Sequence, residues 1–73
     1  MNSNLSLVRD RWVGKVFVDG ALGYETCQHH YMEAIRSCMV VCGVYWIGRN
    51  LWSDDCVSFA LGGHHYTIAI SVL

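Results

Sequence analysis

Residues Trp12 to Val18 alternate, with Val13, Lys15 and Phe17 on one side and Gly14, Val16 and Val18 on the other. That period of two predicts a strand. Residues 20–25, which include Gly20 and Gly23, predict a turn, because glycine lets the chain leave a strand sharply. From Thr26 the period lengthens. Tyr31, Ala34, Ile35, Cys38, Val41, Cys42, Tyr45 and Trp46 recur at the spacing of one helix face, with Thr26 as N-cap and Gly48 as the stop. Met39 to Ile47 is apolar all round, so a helix over 26–37 followed by a strand is the alternative. Asn50, Ser53, Asp54 and Asp55 then form a polar loop around Trp52.

Two further alternating runs, Cys56 to Leu61 and Tyr66 to Val72, flank Gly62-Gly63. Alternation on both sides of a Gly-Gly pair predicts a hairpin. A two-residue loop pairs Leu61 with His64, Phe59 with Tyr66 and Val57 with Ile68. That register gathers the large apolar side chains on one face and leaves Ser58, Ala60, His65, Thr67 and Ala69 on the other. Residues 1–11 are polar and mixed and read as a lead-in to a unit spanning 12–73.

Composition narrows the class. A chain of 73 residues buries only about 60% of its unfolded surface, so a core this small is marginal by itself. Yet 53% of the residues are hydrophobic and only 15% charged. Such an excess is expected of a slice through a larger α/β domain whose covering layers are missing, the alternative being a compact small protein with an unusually apolar surface, or an oligomer. Net charge of −1 leaves no electrostatic footprint for nucleic acid. Neither Ser37–Gly48 nor Cys56–Leu73 has the roughly 20 predominantly apolar residues of a spanning helix, so no transmembrane segment is expected. The N-terminal residues lack the basic and apolar regions of a secretory signal, which predicts a cytoplasmic chain with reduced thiols.

The candidate chemistry lies at Asp19. The run Val16-Phe17-Val18 ends in Asp19-Gly20, which puts a carboxylate at the lip of a strand above a tight turn, where a rigid scaffold would hold a catalytic group. Asp-Gly is also a common turn dipeptide whose Asp only caps the turn. Phe17-Val18-Asp19-Gly20-Ala21-Leu22-Gly23-Tyr24 resembles the Asp-Gly-Ala/Gly motif of the patatin-like phospholipases, most closely the patatin-like domains of fungal multidomain proteins. The resemblance covers about a dozen residues, Val13 to Tyr24. It implies a fragment of a three-layer α/β hydrolase domain: a strand, a helix, then one or two strands. It further implies a lipid acyl hydrolase in which Asp19 is the carboxylate of a Ser–Asp dyad and Gly20 and Ala21 complete the motif. Phe59-Ala60-Leu61-Gly62-Gly63 resembles the strand and turn that follow the helix in that family, with Ala60 where the pattern has Ser.

The six serines (Ser3, Ser6, Ser37, Ser53, Ser58 and Ser71) all lack the flanking glycines of a Gly-x-Ser-x-Gly elbow. A serine nucleophile needs a base within reach and donors for the oxyanion, and this chain offers at most the base. It is therefore expected to be the C-terminal part of such a domain, inactive alone, with no cofactor. Its partners would be the missing N-terminal part or a second copy, and its substrate in the intact domain a lipid acyl ester. The rival is a non-catalytic remnant or interaction module. A metal-binding module is weaker, because Cys38 and Cys42 lie in an apolar run rather than on knuckle turns, and no metal site is expected. Cys27 or Cys56 with His29, His30 or His64 would make a thiol nucleophile only if the fold brought them together.

Overall fold

The computed structural model describes residues 11–73; residues 1–10, most of the expected lead-in, lie outside them. Among the described residues, β1 (Trp12–Val18), β2 (Ala21–Gln28), the helix α1 (Tyr31–Cys42), β3 (Cys56–Leu61) and β4 (His64–Val72) follow in that order. The strands form one sheet in the order β2-β1-β4-β3, antiparallel throughout. This corrects the expected fold class: the described residues form a two-layer antiparallel sheet with one helix, not a slice of a three-layer α/β hydrolase.

The cause is local. Asp19 and Gly20 have φ of 52° and 89°, the double left-handed turn that joins two antiparallel strands through a two-residue loop. The chain therefore returns along β1 as β2, where the sequence pattern predicted only a turn over 20–25. A parallel neighbour would have needed a crossover connection instead. Between Val16 and Phe17 the β1–β2 register shifts, because Gly23 is an extra residue between the partners Leu22 and Tyr24. That bulge breaks the alternation by which β2 could be read.

The helix is shorter than its apolar stripe. Thr26 belongs to β2, and its hydroxyl accepts a hydrogen bond from Gln28 at 2.8 Å, so the helix begins after His30. It ends at Gly43, not Gly48. Gly43 is left-handed at φ 78°, with its N–H bonded to the Val40 carbonyl and that of Val44 to the Met39 carbonyl. The alternative strand over Met39–Ile47 does not form.

Strand β1 and the second hairpin follow the pattern. Leu61 pairs with His64, Phe59 with Tyr66 and Val57 with Ile68, around a turn with Gly62 and Gly63 at φ 61° and 84°. The core lies between α1 and one face of the sheet: Val16, Val57, Ile68 and Ile70 from the strands, Ala34, Cys38 and Cys42 from the helix. The helix packs on β1, β2 and β4. Val44, Ile47 and Trp52, from the segment that follows it, also pack against the core. Gly14 lets helix and sheet approach closely, since a Cβ there would lie 2.7 Å from Cys38 Sγ and 3.3 Å from the Ala34 carbonyl oxygen.

Candidate functional site

Antiparallel pairing of β1 with β4 brings Val18 opposite Tyr66, so the β1–β2 and β3–β4 turns meet at one end of the sheet. Asp19 joins them. Its backbone N–H donates to the His65 carbonyl at 2.7 Å, and its Oδ1 accepts the His65 N–H at 2.9 Å. Its Oδ2 lies 2.8 Å from His64 Nδ1. An ionised carboxylate can only accept, so His64 Nδ1 donates to it. The His65 N–H first, and the His64 side chain second, hold the Asp19 carboxyl below its usual range. Asp19 and His64 are each 55% exposed.

Sequence reasoning put Asp19 at the end of a strand with its carboxylate at the surface, and the structure places it there. Gly20 and Ala21 form the rest of the turn and the start of β2, both exposed. His64, considered from the sequence as a partner for Cys27 or Cys56, is the neighbour of Asp19 that the sequence did not reveal. Its signal lay in the two turn dipeptides, but only the pairing of β1 with β4 brings them together. Among the described residues no hydroxyl or thiol is hydrogen-bonded to Asp19 or His64, and Ser58 instead shares a 3.0 Å hydrogen bond with Thr67. Both carboxylate oxygens are thus occupied by the chain's own turn. The arrangement fixes a hairpin end and orients an imidazole; it contains no nucleophile.

All four cysteines are free thiols, Cys38 and Cys42 buried and Cys27 and Cys56 exposed. Burial, with a smaller contribution from Cys42, pushes the Cys38 thiol up to about 11. Neither buried thiol has the electropositive setting of a nucleophile. Among the described residues no three His, Cys, Asp or Glu side chains converge as a metal site would require. None of their helices is long and apolar enough to cross a membrane.

A second feature lies beside α1. The segment 44–54 runs beside the helix and leaves a groove of about 700 Å³. Met32, Ile35 and Met39 line its helix wall, and Tyr45, Trp46 and Trp52 the opposite one. Tyr45 is 97% exposed, Trp46 79% and Met32 60%, so both walls present apolar surface to water. Arg36, Arg49 and Asp54 also border the groove, and neither arginine forms an ion pair among the described residues. Helical spacing had assigned Tyr45 and Trp46 to the buried stripe of α1. The stop at Gly43 takes them off it. No family model, curated protein or solved structure matches the chain.

Proposed function

We propose that this chain is a non-catalytic interaction module whose groove receives an amphipathic segment of a partner protein, apolar on one face and acidic at its flanks. The observation that carries this reading is the exposure of Tyr45, Trp46 and Met32 around one groove. Large aromatics and methionine are the residue types that anchor helices in grooves, and methionine adapts its shape to the occupant. Arg36 and Arg49 outnumber Asp54 on the groove and set the polarity of the partner. A cytoplasmic setting fits the four free thiols.

The acyl-hydrolase function implied by Phe17–Tyr24 has less support. It borrowed a catalytic geometry from a layered α/β fold, and Asp19 here lies in a two-residue hairpin turn with both oxygens engaged. Asp19, Gly20 and Ala21 explain the turn without a reaction.

Two synthetic peptides test the interaction reading. Both carry one apolar helical face of leucine, phenylalanine and methionine, one with glutamate flanks and the other with lysine. Calorimetric titration at low salt should favour the glutamate peptide by about fivefold to tenfold, since each partly exposed ion pair contributes about 0.2–1 kcal/mol. The preference should shrink as salt rises. Equal affinity for the two peptides, or no binding of either at millimolar concentration, would contradict the reading.

A further inference from the structure

The two outer strands of the sheet are not alike. The outer edge of β2 carries the Gly23 bulge and the charge of Glu25, both devices that discourage strand addition. Strand β3, Cys-Val-Ser-Phe-Ala-Leu, has no charge, no proline and no bulge. We propose that a second copy of this chain pairs with β3 edge to edge, joining the two sheets into one of twice the width. This goes beyond the groove reading and rests on different residues.

The register follows from which backbone groups are free. Along an antiparallel strand, successive residues turn their N–H and C=O to opposite sides. Val57, Phe59 and Leu61 bond to β4 across the hairpin, so Cys56, Ser58 and Ala60 point outward. Ser53 already takes both groups of Cys56, donating to its carbonyl at 2.8 Å and accepting from its N–H at 3.1 Å. Among the described residues, Ser58 and Ala60 therefore keep an N–H and a C=O with no backbone partner. A two-fold axis through Phe59 sets Ser58 of one copy against Ala60 of the other and closes all of these groups reciprocally.

The side chains agree with that register. Val57 faces Leu61 of the second copy, and Phe59 faces its own counterpart, extending the apolar face of the sheet. Leu61, 44% exposed, is covered in this way. On the opposite face Ser58 meets Ala60, so neither a charge nor a bulky polar group is buried. Where Ser53 ends the free edge, the second copy presents Gly62 and Gly63, which have no side chain to collide with it. A register centred on Ser58 would instead set Ala60 against Cys56, whose groups are taken.

Sedimentation of the full chain from micromolar to millimolar concentration, alongside amide exchange followed by NMR, tests the proposal. The chain should pass from monomer to dimer, and the Ser58 and Ala60 amides should gain protection over the same range. Ala60→Pro removes one outward donor per copy and no bond within the hairpin, and should weaken the dimer about tenfold or more. Cys27→Pro, the same change on the outer edge of β2, should leave dimerisation intact. Ala60→Lys should act as Ala60→Pro does if the proline variant fails to fold. A chain that stays monomeric at millimolar concentration would overturn the proposal, as would a dimer lost in Cys27→Pro but kept in the Ala60 variants. Neither result bears on the peptide titration, so the two readings fail separately.

Discussion

Gly14 lies where the helix and the sheet approach closely. A methyl group there would stand 2.7 Å from Cys38 Sγ, 3.3 Å from the Ala34 carbonyl oxygen and 3.3 Å from Ile70 Cδ1. Gly14→Ala should therefore cost about 1–3 kcal/mol, the usual penalty for overpacking, read as a lower urea midpoint. Adding Cys38→Ala should recover part of it by removing the sulfur, and strict additivity would show that the two positions do not touch. Nothing in one sequence marks Gly14 as facing a helix, since alternation assigns it a side of β1 and not a neighbour. The thiols offer a second test. Cys27 and Cys56 should react with a thiol reagent at once, and Cys38 and Cys42 only as the chain unfolds. Burial raises both inner thiols, so the folded state favours their neutral form. That stability is present below the ordinary thiol range and declines as pH rises above it.

At the scale of elements, the turns govern how the strands are arranged. The Gly62-Gly63 hairpin was legible to the register because clean alternation runs on both sides of it. The Asp19-Gly20 hairpin carries an equally strong turn signal, but the Gly23 bulge interrupts the alternation of β2 and hid the returning strand. The end of α1 was obscured by Met39–Ile47, which is apolar on every side, so that a periodic stripe ran on past the true stop at Gly43. Asp19 locks the two turns together in its ionised form. Its folded pKa is depressed, so this contribution is present above the unfolded carboxylate range and is lost as pH falls through the lowered value. Asp19→Asn should speed exchange of the His65 amide and soften the response to acid, with the rest of the sheet unchanged. Unaltered exchange at His65 would mean that the carboxylate does not hold the turns.

For the molecule as a whole, the hydrophobic excess that suggested a slice of a larger domain has a different distribution. The core is small, and the exposed large apolar side chains include Met32, Tyr45 and Trp46 on the groove beside α1 and Leu61 on β3, with Leu22, Val40, Val41, Leu51, Val72 and Leu73 elsewhere on the surface. Composition could reveal the excess but not its location, because Tyr45 and Trp46 share the helical spacing of residues that are buried. Trp46→Ala should leave stability within about 0.5 kcal/mol, as expected of an exposed residue, while weakening peptide binding by about tenfold or more. The most direct test of the central claim is an NMR titration of the chain with the glutamate-flanked amphipathic peptide, following the indole N–H signals of Trp12, Trp46 and Trp52. Saturable shifts of Trp46 and Trp52, which line the groove, are expected, larger than any at Trp12, whose ring meets the groove-lining Tyr31 at 5.0 Å; shifts confined to Trp12 and the Asp19 turn, or none at saturating peptide, would contradict the groove reading.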